Sequence, residues 1–345
     1  MLILVTGGSG FVGSAVVKQL STDGFDVRVL DRKPPAESAF GSHRPEVVLG
    51  EVGDPPMLDV ALAGVDLVCH HAAKVGLGID VQDSPGYVSD NALATAQLLA
   101  AMDRAHVQRL LLASSMVVYG EGAYSCARHG EQPASPRTHA DLESGRFEPP
   151  CPTCGGPLVP QLLNEDYTTD PRNAYAVTKL AQEQLTATWA REGGGSAIAL
   201  RYHNVYGPRM PRNTPYAGVA SIFRSAIANG ESPDVYEDGG QRRDFVHVRD
   251  VAAANAAAIR VLFEDRPGAG RTHAYNVGSG QVRTVLDLAS SLSRALDGPT
   301  PTVSGRYRLG DVRHITASSE RARAELGWQA TVDFDQGMRE LALEN

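Results

Sequence analysis

The first fourteen residues constrain this chain more than any others. An apolar run, LILVT at 2–6, leads straight into TGGSGFVG, and an amphipathic stretch, GSAVVKQLST, follows. A buried strand, a glycine-rich turn and a helix start in that order place Gly7, Gly10 and Gly13 where the backbone must turn tightly and approach another group closely. Phe11 and Val12 open the helix. Free N–H groups at such a helix start suit a pyrophosphate. Asp31 stands eighteen residues after Gly13, at the end of the alternating run FDVRVLD. A carboxylate there accepts hydrogen bonds from ribose hydroxyls and repels a 2′-phosphate, which favours NAD; Arg32, next in the chain, leaves NADP open.

The pattern continues. VDLVCHHAA at 65–73 and RLLLASS at 109–115 read as buried strands, with helical periodicity between them at 89–105. The alternation resumes with a helix near 171–192, a strand at 196–204 and a closing helix near 318–326. This predicts an α/β chain built on a Rossmann-type doubly wound parallel sheet. The expected organisation is a dinucleotide-binding domain over 1–200 and a smaller substrate-binding domain, mainly 201–345, interleaved with the first. Asp54 in GEVGD is expected to face the adenine, and Ala72, Ala73 and Lys74 to end the fourth strand beside the cofactor.

Tyr175 and Lys179 are four apart in NAYAVTK, so they share one face of a helix, with Asp170 and Pro171 as its expected cap and first-turn proline. A phenol titrates near ~10 unless a neighbouring ammonium or a positive nicotinamide lowers it. Tyr175 then becomes a base for a substrate hydroxyl while hydride leaves, with Ser115, at a strand end, hydrogen-bonded to the same oxygen.

The segments TGGSGFVG, HHAA, SSMVVYG, YAVTK, LRYHNVYGPR, RRDFVHVRDV, YNVGSG and RLGDVRH, spread from Leu2 to about Trp328, together resemble the extended short-chain dehydrogenase/reductases of the NAD-dependent epimerase/dehydratase family. The resemblance implies NAD as cofactor, contacts from Lys179 to the nicotinamide ribose, and roles for Asn91 and Tyr202 at the cofactor. It also implies a nucleotide-diphosphate sugar as substrate, with Arg243 and Arg308 on its pyrophosphate and Asn204 near the sugar or its diphosphate. A homodimer through helices near 91–105 and 174–190 is implied too. Dehydratases of the family carry an Asp–Glu pair where this chain has Met116 and Val117, so 4,6-dehydration is not expected. The stretch 213–223, with Tyr216, resembles the nucleotide-entry segment of rhamnose 4-epimerase-type members, and the cysteine-bearing stretch 121–160 resembles insertions found in the same type, which implies a deoxyhexose on dTDP or UDP.

Composition enters at two points. With 40 acidic and 32 basic residues the formal net charge is -8, which excludes a globally basic nucleic-acid binder and makes local arginines necessary for an anionic substrate. The chain shows no apolar run of membrane-spanning length and no signal-peptide pattern at its N-terminus, so a cytoplasmic protein is expected.

Residues 121–160 break the α/β pattern. They are polar and rich in Gly and Pro, too long for a structureless loop. They hold three of the four cysteines: Cys126 and His129 in CxxH spacing, then Cys151 and Cys154 in CPTCGG. Two such knuckles converge on a tetrahedral ion, so a zinc-ribbon-like insertion with structural zinc is expected, with His139 as an alternative to His129. The insertion leaves after Ser115 and returns before Tyr175, so it is expected to shape or cover the sugar pocket. Cys69 reads as a small core residue.

The leading expectation is a nucleotide-sugar 4-epimerase that oxidises C4 transiently. A 4-ketoreductase consuming NAD(P)H uses the same residues and is the alternative. A non-catalytic NAD-sensing or RNA-binding relative is a further rival, disfavoured by the intact Ser115, Tyr175 and Lys179.

Overall fold

The computed structural model describes residues 1–76, 78, 80–211, 218–264 and 270–343. Its centre is a seven-stranded parallel sheet of β1 (Leu2–Thr6), β2 (Asp26–Asp31), β3 (Glu46–Leu49), β4 (Leu67–His70), β5 (Arg109–Ser115), β6 (Ser196–Tyr202) and β7 (Arg271–Val277). The spatial order is β3-β2-β1-β4-β5-β6-β7. It reverses direction between β1 and β4, which opens a crevice at the carboxyl ends of those strands.

Both faces of the sheet are covered, which is why its strands are continuous apolar runs. On one face α1 (Phe11–Thr22) and the helix Val248–Glu264 contribute Val16, Val17, Leu20, Val251, Ile259 and Leu262, with Trp328 joining the same core. On the other, α2 (Ala94–Arg104) and α3 (Ala174–Gly193) pack Leu98, Met102, Leu185 and Trp189 over Leu4, Val68 and Leu110.

Several local expectations shift. The helix expected over 89–105 starts at Ala94, and Val88–Leu93 forms a wider π-type turn that holds Asn91. α3 starts at Ala174, not 171. Asn173 is its cap, accepting the Ala176 N–H at 2.9 Å. Asp170 does not cap it: it stands four residues before the first helical residue, and its carboxylate pairs with Arg172 at 2.6 Å. The strand expected over 196–204 ends at Tyr202, and Asn204–Tyr206 joins a different sheet. The chain also forms a further helix, Phe334–Leu343.

That different sheet contains Asn204–Tyr206, Arg242–His247, Val282–Thr284 and His314–Ile315. Next to it Phe223, Phe245, Leu288, Leu292, Phe334 and Met338 make a separate hydrophobic cluster. β7 and the helix Val248–Glu264 return to the large sheet, so the stretch after residue 200 serves both.

Residues 121–160 are ordered around a three-stranded antiparallel sheet, with Ala123–Cys126 between Gly130–Glu131 and Val159–Gln161. A helical turn, His139–Glu143, carries a Thr138/Asp141 capping box. The insertion's own apolar core is small: Tyr124, Cys126, Ala134, Cys151 and Leu158. Among the described residues no helix is long and apolar enough to cross a membrane.

Candidate functional site

The β1–α1 turn shows why glycine is required. Gly7 has φ +69°, and a Cβ there would stand 2.7 Å from the Ala72 backbone nitrogen. A Cβ on Gly13 would fall on the Gly7 carbonyl oxygen. Gly10 is less constrained, with its nearest neighbour 3.3 Å away. The Asp31 carboxylate closes the turn from the end of β2, accepting the N–H groups of Ser9 and Lys33 at 3.0 Å each. Arg32 turns instead to Asp90, 3.2 Å away.

A single cavity of about 1820 Å³ runs from this turn to the second sheet. That exceeds the ~300–1,000 Å³ of a pocket for one small molecule. Gly7, Gly10, Phe11, Val12, Gly13, Asp31 and Arg32 line one end. Ala72, Ala73, Lys74, Tyr175, Lys179 and Tyr202 line its middle, with the Tyr202 hydroxyl donating to Asn255 Oδ1 at 2.9 Å. Asn204, Arg243 and Arg308 line the far end. Tyr216 lies outside the described residues.

Two cofactor assignments need correction. Asp54 is exposed and stands at the start of the helix Pro55–Ala61, where the chain turns away; Glu51, Val52 and Gly53 line the cavity in its place. Asn91 is wholly buried and does not line the cavity. It works one step back: Oδ1 accepts the Lys74 N–H at 2.7 Å, and Nδ2 donates to the Lys74 carbonyl and to Thr178 Oγ1, 3.0 Å each. It thereby fixes the end of β4 against the turn of α3 that carries Lys179.

On α3 Lys179 is buried, and Tyr175 is half-buried with its side chain on the cavity wall. Burial pushes the Tyr175 phenol up to about 12; the neighbouring Ser115 hydroxyl opposes this and Tyr87 adds to it. The expected lowering by Lys179 is not what the residues alone produce. The ammonium is directed at the Ala113 carbonyl, 2.8 Å away, and burial lowers Lys179 to about 8, with Glu183 opposing that shift. Beside them His70 and His71 are held neutral, down at about 3 and 4, by burial and by the Lys179 charge. Met116 and Val117 line the cavity next to Ser115, so no acid stands there.

The sequence reading missed three groups. Glu183, one helical turn beyond Lys179, takes Arg201 in a two-pronged pair at 3.0 and 2.7 Å and accepts the Ser114 hydroxyl at 2.5 Å. The i, i+4 spacing from Lys179 was visible, but the Arg201 partner on β6 was not. His203 is buried in the cavity wall with neither ring nitrogen hydrogen-bonded, and burial lowers it to about 3, so it is a neutral imidazole. Its place between Tyr202 and Asn204 was the available signal. The third group is the network around Arg313 described below.

At the far end Arg243 donates to the carbonyls of Arg242 (2.8 Å), Arg313 (3.0 Å) and Val312 (2.5 Å). A guanidinium has five N–H donors, so two remain for an anion. Arg308 is exposed and lies over the Tyr236 ring, 5.5 Å from its centre. Asn204 Oδ1 is buried without a partner.

In the insertion the ligand atoms of Cys126, His129, Cys151 and Cys154 all lie within 4.8 Å of one another. Cys126 Sγ is 3.6 Å from His129 Nδ1 and 3.8 Å from Cys154 Sγ, and Cys151 Sγ is 3.7 Å from His129 Nδ1. Zinc–sulfur bonds of about 2.3 Å in a tetrahedron give edges of about 3.8 Å, so this donor set fits zinc. The knuckle is closed by backbone bonds, Gly155 N to Cys151 O and Cys151 N to Gly156 O, with Gly155 at φ +69°. His139 is not a ligand: its Nδ1 faces the Tyr307 hydroxyl at 3.3 Å. Nor does the insertion cover the pocket. No residue of 121–160 lines the cavity, because the ribbon folds back against residues 306–318.

The family model for the NAD dependent epimerase/dehydratase family matches residues 3–142 and 152–278. A dTDP-L-rhamnose 4-epimerase of Burkholderia thailandensis is 32% identical over 351 residues, covering 98% of this chain and 93% of that protein. A putative UDP-glucose 4-epimerase of Methanocaldococcus jannaschii is 28% identical over 342 residues, covering 98% and 96%. Among solved structures, MoeE5 in complex with UDP-glucuronic acid and NAD superposes with a TM-score of 0.78 at 29% identity, over 99% of this chain and 98% of that one. The Thermus thermophilus UDP-glucose 4-epimerase complex with NAD gives 0.77 at 27% identity, over 99% and 98%.

Proposed function

The chain belongs to the NAD-dependent epimerase/dehydratase family, and from that premise we propose that it is an NAD-dependent nucleotide-sugar 4-epimerase whose substrate is a dTDP-6-deoxyhexose such as dTDP-L-rhamnose. The observation that carries the reading is one cavity holding a glycine cradle at one end, Tyr175 and Lys179 in the middle and Arg243 with Arg308 at the other. The preference for dTDP-rhamnose over UDP-hexoses rests on the 32% identity to the rhamnose enzyme.

The cradle fits NAD: any Cβ at Gly7 or Gly13 would occupy space the backbone needs, and Asp31 is placed for ribose hydroxyls. NAD held there supplies a hydride acceptor and later a donor, and its positive ring favours the phenolate of Tyr175. Tyr175 takes the proton of the C4 hydroxyl, and Ser115 hydrogen-bonds the same oxygen. The resulting 4-keto sugar turns within the cavity while Arg243 and Arg308 hold the diphosphate. With NAD bound to return the hydride to the other face of C4, Tyr175 would give its proton back. Met116 and Val117 offer no acid for loss of a neighbouring hydroxyl, which keeps the reaction an epimerisation.

Structural zinc on Cys126, His129, Cys151 and Cys154 belongs to the same reading, supported by the tetrahedral spacing of their ligand atoms. So does a homodimer through the faces of 91–105 and 174–190, where Val177 stands half exposed. The test is incubation of the NAD-loaded protein with dTDP-L-rhamnose and, separately, UDP-glucose, with products separated by anion exchange. Formation of the C4 epimer without accumulation of reduced cofactor supports the proposal, and the faster substrate decides the nucleotide and sugar. Turnover of neither sinks it.

A further inference from the structure

We propose that the cysteine insertion is a latch that holds the diphosphate-binding loop 306–314 in place, with Arg137 and Glu148 as its positioning residues. The proposal rests on reading the Arg243–Arg308 end of the cavity as the diphosphate site.

The two knuckles enclose residues 130–150, and from that closed loop two side chains reach the substrate side. Arg137 pairs with Glu237 at 2.8 Å and donates to the Asp311 carbonyl at 2.6 Å. Glu148 accepts both Nε and Nη2 of Arg313, at 2.9 and 2.6 Å, and its other oxygen meets His314 Nε2 at 2.8 Å. Arg313 is 2% exposed and completes its donor set on Glu237 and Asp238. Glu237, also 2% exposed, therefore lies between one arginine from the insertion and one from the loop.

The loop so gripped presents Arg308 and Asp311 to the cavity and supplies the Val312 and Arg313 carbonyls that hold Arg243. The root of the insertion is fixed to the same segment. A Cβ at Gly122 would fall on the His314 carbonyl oxygen, and Leu163, just past the insertion, bonds through its N–H to Thr316 and through its carbonyl to Ser318. His314–Ile315 in turn pairs with Arg242–Arg243. A line of contacts thus runs from the metal cluster to both arginines, and none of it passes through Tyr175 or the glycine cradle. A metal suits this task because the insertion's apolar core is five residues, few to keep a loop carrying the buried Arg137 charge and the half-exposed Glu148 in register.

The test compares zinc-reconstituted protein, the same protein stripped with a chelator, and the variants Glu148→Gln and Arg137→Ala. Glu148 is half exposed, so the near-isosteric Glu148→Gln keeps the test alive where Arg137→Ala fails to fold. Expected are a tenfold or larger rise in amide exchange across 306–314 and an affinity for dTDP or UDP about tenfold weaker, at unchanged NAD content. In Glu148→Gln, KM rises in the same proportion while kcat stays within twofold. Unchanged exchange across 306–314 in stripped protein overturns the latch. Parallel loss of NAD overturns it too, since the insertion is then a general support of the fold. The exchange readout needs no turnover, so failure of the epimerase reading and failure of the latch are told apart.

Discussion

The catalytic half lines the cavity and the cysteine insertion stands behind the 306–314 segment at its far end, and the two are held together by different physics. Around Tyr175 and Lys179 the scaffold is a parallel sheet with helices on both faces, and side chains such as Ile3, Leu4, Val5 and Leu111 have no exposed surface. Behind the site Glu183 is paired with Arg201 through two hydrogen bonds. The insertion has almost no apolar core and instead closes on four metal-ligand side chains and a chain of buried ion pairs. Apolar burial is present under all ordinary conditions, whereas thiolates and carboxylates hold only in the right protonation and metal state. One half is therefore permanently formed, and the other, on the zinc reading proposed above, is conditional on an ion.

The largest effect expected from breaking this contrast is on chemistry. Tyr175→Phe removes the hydroxyl proposed to exchange the C4 proton, and kcat falls by about 10³-fold. NAD and zinc contents, measured on the same sample, remain at wild-type levels. Next is Glu183→Gln, which leaves the Arg201 charge buried beside a neutral partner; it costs about 3–5 kcal/mol in denaturant unfolding, with no loss of zinc from the folded fraction.

A pH experiment separates the halves further. Burial holds Lys179 near 8 against its ordinary 10.5. Below pH 8 both folded and unfolded chains carry the proton, and the full cost of burying the charge is felt. Between pH 8 and 10.5 the folded chain loses it first, so this contribution raises stability with pH, by on the order of 3 kcal/mol. Lys179→Met should lack that rise when unfolding is followed across the window. The smallest expected effect is that of Cys154→Ser on the main fold. Cys154 is exposed, and its loss should release zinc and open residues 121–160 to proteolysis while shifting the main unfolding transition by about 1 kcal/mol or less. A large shift would erase the distinction between the two regions.

The same contrast governs what could be read from the sequence. β1, β5 and the glycine turn were legible because short apolar runs and fixed spacings specify them locally. The CxxH and CxxC knuckles were legible for the same reason, and the placing of Cys126, His129, Cys151 and Cys154 around one point follows that spacing. Asp54 was misplaced because a carboxylate after a strand is equally a helix start. The cap of α3 was misread because Asp170–Pro171 and Asn173 carry the same signal three residues apart. Non-local pairings left no local trace: nothing near Glu148 announces Arg313, 165 residues away, and nothing near Glu183 announces Arg201 on the strand beneath it. Of the two roles expected for the insertion, covering the pocket failed on those grounds, whereas shaping it through the 306–314 loop stays open. Its roots lie at the active site, but its charges point to the substrate loop.

The central claim, transient oxidation at C4 by a chain built around Tyr175, is tested most directly with a sugar nucleotide carrying deuterium at C4. The account predicts that the label leaves and returns as hydride, so both C4 epimers keep it at C4 and none appears in water. Epimerisation with the label washed into solvent, or label transferred stoichiometrically to released reduced cofactor, would contradict it.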